Sequence, residues 1–171
     1  MKRIIAPILL LLLVSCGVAV TYDYEKSTDF SQYKTYNYFT DITSGLNELD
    51  ERRLYAAIDE KLQSMGLQKS ETPSFNIDIK TQELIDTNRN TIGVGLGGTG
   101  RSVGGRVSVG IPIGSTRMSR NIFIEFVDDS KTGLFWQAIA EDRYSQNTTP
   151  EKREAELKAL VEKVFSRYPP K

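Results

Sequence analysis

From Ile4 to Val14 the chain is apolar at every position except Pro7, whereas beyond Val18 apolar residues recur at intervals of two or of three to four. The spaced part reads as strands and amphipathic helices. Val18 to Tyr24 alternates as a strand, and Ser27 to Ser31 supplies turn residues in which Asp29 can cap a short turn around Phe30. Tyr33 to Phe39 reads as a second strand. Asn47 then offers a helix N-cap, with Leu54, Ile58, Leu62 and Met65 along one stripe. Gly66 suits the left-handed position that stops such a helix, and Leu67 can fold back on its last turn. Pro73 opens a strand from Phe75 to Lys80 that turns Phe75, Ile77 and Ile79 to one side. Ile122 to Val127 and Leu134 to Ala140 form two more strands about the turn Asp128 to Gly133. Thr149 and Pro150 begin a last helix, which buries Leu157, Leu160, Val161, Val164 and Phe165 and ends at Pro169-Pro170.

Between Ile92 and Gly114 lie nine of the thirteen glycines. Period two persists there, with Ile92, Val94 and Leu96 before a turn and Val107, Val109, Ile111 and Ile113 after it, which predicts a glycine-rich hairpin over 92–114. Pro112 cannot donate to a ladder, so its strand belongs at an edge or a bulge. Sequential strands joined by short turns predict an α+β fold: an antiparallel sheet of about five to seven strands, with two amphipathic helices packed on one face.

The unspaced apolar run gives the front end a different meaning. Met1-Lys2-Arg3 followed by Ile4–Val14 and small Ser15 has the plan of an export signal, and the run is about half of the ~20 residues a membrane-spanning helix needs. Leu13-Val14-Ser15-Cys16 resembles the lipobox of bacterial lipoproteins. That implies a signal peptide over residues 1–15, and one domain over 16–171 that begins with a diacylglycerol thioether and an N-acyl group at Cys16. Two or more acyl chains make such an anchor stable. The chain carries 22 basic and 22 acidic side chains, and loss of Lys2 and Arg3 leaves the mature protein about two charges negative. Bulk charge therefore points to no nucleic-acid partner.

Chemistry is limited by what the chain lacks. It has no histidine and a single cysteine, Cys16, which lipidation consumes. Zinc sites of the Cys/His kind and Ser-His-Asp or Cys-His catalysis are thereby excluded, and no catalytic residue, metal or cofactor is expected beyond the lipid. A hydrolase using two carboxylates is the one enzyme class left, with Asp128 and Asp129 as candidates, although acids are common in turns for turn reasons. Gly95-Leu96-Gly97-Gly98-Thr99-Gly100 matches a dinucleotide-binding pattern but leads into more glycine rather than a helix, so a hairpin tip explains it better. Asn147-Thr148-Thr149 fits a sequon and is better used as a helix cap. Two sets of residues suit ligand contact. Arg101, Arg106, Arg117 and Arg120, in a stretch that also holds Arg89 and lacks acids and lysine, could bind anions such as lipid headgroups. Tyr22, Tyr36 and Tyr38 could form an aromatic surface for a glycan, or could simply face a half-buried sheet.

Asp29-Phe30-Ser31-Gln32-Tyr33-Lys34-Thr35-Tyr36, the strand Val20 to Tyr24 just after the cysteine, the turn from Asp129 to Trp136 around Thr132-Gly133, and Phe165-Ser166-Arg167-Tyr168-Pro169-Pro170 together resemble a family of small Gram-negative envelope lipoproteins known as domain of unknown function 4136. The likeness spans nearly the whole mature chain and implies architecture and location rather than an activity. Gly17, in place of an aspartate, is similar to lipoproteins sent to the outer membrane. The expectation is an outer-membrane, periplasm-facing lipoprotein acting without catalysis as a binding or envelope-assembly module, with an envelope protein as partner and its oligomeric state open. A small-ligand binder for glycan or anionic lipid is the alternative.

Overall fold

A computed structural model of the protein describes residues 18–84, 117–131, 133–145 and 147–170. Six strands and two helices follow in the order β1 (Val20–Tyr24), β2 (Thr35–Tyr38), α1 (Glu48–Ser64), β3 (Gln68–Lys69), β4 (Phe75–Leu84), β5 (Arg117–Asp128), β6 (Gly133–Ser145) and α2 (Pro150–Phe165). Asp29 caps a short 3-10 turn at Phe30–Gln32 between β1 and β2. The glycine-rich hairpin expected over 92–114 lies outside the described residues.

The strands form one sheet in the order β1-β6-β5-β4-β2-β3. It is α+β as expected, but mixed rather than purely antiparallel. β1, β6, β5 and β4 are antiparallel neighbours, whereas β2 runs parallel to both β4 and β3. The reason is the crossover: between β2 and β4 the chain passes through α1, which carries it back so that β4 runs in the direction of β2. β3, two residues long, is too short to be visible as a period.

Local signals set the element ends. Asn47 Oδ1 accepts from Asp50 N at 3.0 Å, and the Thr149 side chain accepts from Lys152 N at 3.4 Å. Gly66 stops α1 at φ +88°, and Leu67 N donates back to Leu62 O.

Period two decides which face of the sheet is buried. Phe75, Ile77 and Ile79 of β4, Ile122, Ile124 and Phe126 of β5, and Trp136, Ala138 and Ala140 of β6 point to one side. There they meet Leu54, Ile58 and Leu62 of α1 and Leu157, Leu160, Val161 and Val164 of α2 in a single apolar cluster. One end of that core is aromatic, with the Tyr33 and Phe135 rings stacked at 4.2 Å and the Trp136 and Phe165 rings at 5.6 Å. The opposite face of the sheet is largely polar, with Phe123 and Ile139 as a cross-strand apolar pair. Lys80 Nζ meets Asp78 at 2.7 Å and Glu125 at 3.2 Å, and Gln137 Nε2 donates to Glu125 Oε1.

Candidate functional site

Three polar constellations stand out. The first lies where the helices begin. Arg120 and Asp142 are cross-strand partners in β5 and β6, both at inward-facing register positions. Arg120 Nε donates to Asp142 Oδ2 at 3.0 Å, and its Nη2 lies 3.3 Å from Asp50 Oδ2 in the first turn of α1. From the first turn of α2, Arg153 grips Asp142 with both Nη atoms, at 3.0 and 2.7 Å, and reaches Asp50 Oδ2 with Nε at 3.0 Å. All four residues are buried, at 4–5% exposure. The guanidinium carbons of Arg120 and Arg153 lie 4.4 and 5.0 Å from the centre of the Tyr144 ring.

Two charges of each sign thus neutralise one another out of water, joined by fork-shaped hydrogen bonds that suit arginine. Burial pushes the Asp50 carboxyl up, but Arg153 and Arg120 outweigh it and hold it below the usual carboxylate range. A shallow cleft of about 420 Å³ opens beside the lattice, lined by Asn47, Leu49, Arg53, Tyr144 and Thr148 among others. Arg53 Nη1 completes Asp50 at 3.1 Å. The arrangement clamps the starts of both helices to the sheet. Both aspartates have their oxygens taken up by arginine.

The second constellation sits at the opposite end of the strands, around a cleft of about 330 Å³ that includes Tyr33, Ser74, Asn76, Asp128 and Lys131. Buried Asp128 accepts from Tyr33 Oη at 2.9 Å and from Ser130 N and Oγ at 3.0 and 2.6 Å. Burial and this contact with Asp128 push the Tyr33 hydroxyl up to about 12. Asp129 is exposed in the turn. The two turn acids therefore have unlike surroundings, and Asp128 is committed to holding the turn.

The third lies on the β2 side. Asp59 Oδ1 accepts from Tyr36 and Tyr38 hydroxyls, both at 2.9 Å, and its Oδ2 from Lys69 Nζ at 3.1 Å. Tyr36 is fully buried, and Tyr38 stacks on Tyr55 at 4.5 Å. Tyr22 is at the other edge of the sheet, in β1, where its hydroxyl donates to Lys163 O at 2.7 Å and its ring lies 5.4 Å from the Arg167 guanidinium. The expected aromatic surface is not assembled: Tyr22 is separated from Tyr36 and Tyr38 by β6, β5 and β4. Strand order is why: alternation turns all three rings toward the helices, but β1 and β2 lie on opposite sides of β6, β5 and β4.

Of the four candidate arginines, Arg117 and Arg120 lie within the described residues. Arg120 is buried in the lattice, its guanidinium occupied by Asp142 and Asp50. Arg117 begins β5 opposite Ser145. Arg101, Arg106 and the lipidation candidate Cys16 lie outside the described residues. Sequence reasoning missed Asp50, Asp142 and Arg153, although a signal was there. Each charge continues an apolar period: Arg120 precedes Ile122 and Ile124, Asp142 follows Ala138 and Ala140, and Arg153 shares the stripe of Leu157 and Leu160.

Among the described residues no group of three or more His, Cys, Asp or Glu side chains could hold a metal ion, and no helix is long and apolar enough to cross a membrane. Over residues 20–170 the chain matches the family model described as Domain of unknown function (DUF4136). No curated protein matches it. Among solved structures it is similar to a PDZ domain protein from Parabacteroides distasonis ATCC 8503, with 14% identity and a TM-score of 0.56 over 89% of this chain, which spans only 35% of that one. It is also similar to the PelC dodecamer from Paraburkholderia phytofirmans, with 11% identity and a TM-score of 0.51 over 88% of this chain and 96% of that one. A point variant of that dodecamer gives 10% identity and the same TM-score over 88% and 95% of the two chains. At such identities the likeness is one of fold.

Proposed function

The chain belongs to the family described as Domain of unknown function (DUF4136), and we propose that it acts by contact, as a lipid-anchored, non-enzymatic binding or assembly module on the periplasmic side of the outer membrane. The observation that carries the contact reading is the state of the buried ionisable groups. Asp50 and Asp142 are gripped by Arg120 and Arg153, and Asp128 is held by Tyr33 and Ser130. Proton transfer to a substrate needs a carboxyl with a free oxygen and a pKa near the working pH; these are spent on structure, and Asp50 and Asp128 are held below the ordinary range. The anchor rests on Leu13-Val14-Ser15-Cys16 behind a short apolar run.

The assembly side of the reading draws support from the PelC neighbours, which are dodecamers. A glycan or anionic lipid remains the rival occupant, now without a shared tyrosine surface. The test is Cys16→Ala in cells. The variant is expected to leave the membrane fraction, and continued tight membrane association would refute the anchor. Crosslinking capture of the unaltered protein then separates the two roles. A reproducible envelope partner, or a multiple of the chain mass, supports assembly, whereas recovery of the bare monomer favours the small ligand.

A further inference from the structure

The orientation of the domain at a bilayer rests on the proposed lipidation of Cys16: given that anchor, the covalent chain decides which end meets the membrane. The fold starts almost at the anchor. Ala19 O already accepts from Glu141 N at 3.0 Å, one step beyond the Val20–Ala140 pair, and Val18 packs against the core. Only Gly17 separates Val18 from Cys16. Two residue steps span at most about 7 Å of extended chain.

β6 meanwhile runs past the start of β1 as far as Ser145, five residues beyond Ala140 and so about 16 Å along the strand direction. Continued in register, the β1 path brings position 16 only abreast of Tyr144. Even a fully extended tether therefore leaves Tyr144 and Ser145 level with the lipid attachment point. The interfacial layer of a bilayer is itself only about 5–8 Å deep on each side. This end of the molecule has no room to stand clear of it.

The same end gathers several elements. β4 finishes at Leu84, paired near Ser119, and β5 starts at Arg117 opposite Ser145. The first turns of α1 and α2 are clamped there through Asp50 and Arg153. Leu49 and Leu84 project from it with 59% and 38% exposure. Glu48, Glu83, Glu151, Arg52, Arg143 and Lys152 are exposed in the same stretches of α1, β4, β6 and α2. We propose that this end, marked by Leu49, Leu84 and Tyr144, lies in the headgroup layer of the bilayer that holds the Cys16 lipid. The clamp between helices and sheet then sits at the membrane, and the Tyr33–Asp128–Lys131 cleft faces away from it.

Cysteine chemistry makes the test clean, since Cys16 is the only native thiol and is blocked by lipid. Leu49→Cys, Leu84→Cys and, at the opposite end, Leu134→Cys each introduce one label site at an exposed leucine. The lipidated full-length variants, labelled with bimane, are reconstituted in phosphatidylethanolamine vesicles carrying nitroxide-headgroup lipid. Quenching is expected to be several-fold stronger at positions 49 and 84 than at 134. Equal quenching at all three positions, or stronger quenching at 134, in protein that floats with the vesicles would overturn the orientation while leaving the anchor intact. Protein that fails to float overturns the anchor itself and this orientation with it. A flexible spacer between Gly17 and Val18 should weaken the quenching at 49 and 84; undiminished quenching would overturn the short tether as its cause.

Discussion

Arg153 meets two carboxylates at once, taking both oxygens of Asp142 with its two Nη groups and one oxygen of Asp50 with Nε. Removing charge from water costs several kcal/mol per ion, so such a lattice is weak evidence for stability but very sensitive to the loss of one member. Asp142→Ala, which strands Arg120 and Arg153, is expected to lower the unfolding free energy by about 3–5 kcal/mol in urea titrations. Replacing Asp50, Arg120, Asp142 and Arg153 together by apolar residues of similar volume should cost less than that single change. A quadruple variant less stable than Asp142→Ala would contradict this balance of desolvation against pairing. The same aspartates set an acid limit. Burial raises the Asp50 carboxyl, and the arginines outweigh it; burial raises Asp128 too, and the Ser130 and Tyr33 hydrogen bonds outweigh that. Groups depressed in the folded state contribute stability that is complete above the ordinary carboxylate value of 3.8 and is lost as pH falls through the folded values. Urea midpoints should therefore drop below about pH 4, and Asp128→Asn, which keeps the shape, should flatten that drop.

The helices owe their limits to single residues and their existence to the sheet. Thr149 accepts from Lys152 N, ahead of Pro150 at the first helical position of α2, and Gly66 ends α1 at φ +88° with open space where a Cβ would project. Thr149→Ala should cost ~1 kcal/mol through the lost cap. Gly66→Ala should cost about 1–2 kcal/mol through backbone strain alone, since nothing crowds the new methyl group. Thermal or urea unfolding checks both, and a stabilising Gly66→Ala would show that the turn can leave the left-handed region. These features were legible because capping, left-handed turns and apolar stripes are local. β3 was not, since two residues carry no period, and neither was the parallel β2–β4 pairing, which follows from where α1 returns the chain. Of the candidate site little was legible. Tyr36 and Tyr38 stand out as residues, but their shared partner Asp59 lies on α1, 23 and 21 positions away.

At the scale of the whole molecule the core and the proposed anchor are expected to be separable. Among the described residues the apolar cluster begins at Val18, and Cys16→Ala should leave the unfolding free energy within about 0.5 kcal/mol of the unaltered protein while removing it from membranes. A large loss of stability would mean that the lipid supports the fold. The sequence by itself determined the strand and helix faces, the helix ends, the α+β class and the lack of histidine and of any cysteine beyond Cys16, because each depends on residue type or on spacing over a few positions. Only the tertiary structure decided the mixed strand order and the scattering of the tyrosines to opposite edges. It alone turned four charges from β5, β6, α1 and α2 into one neutral clamp, because ion pairs between residues as far apart as Asp50 and Arg153 exist only once packing has brought their elements together.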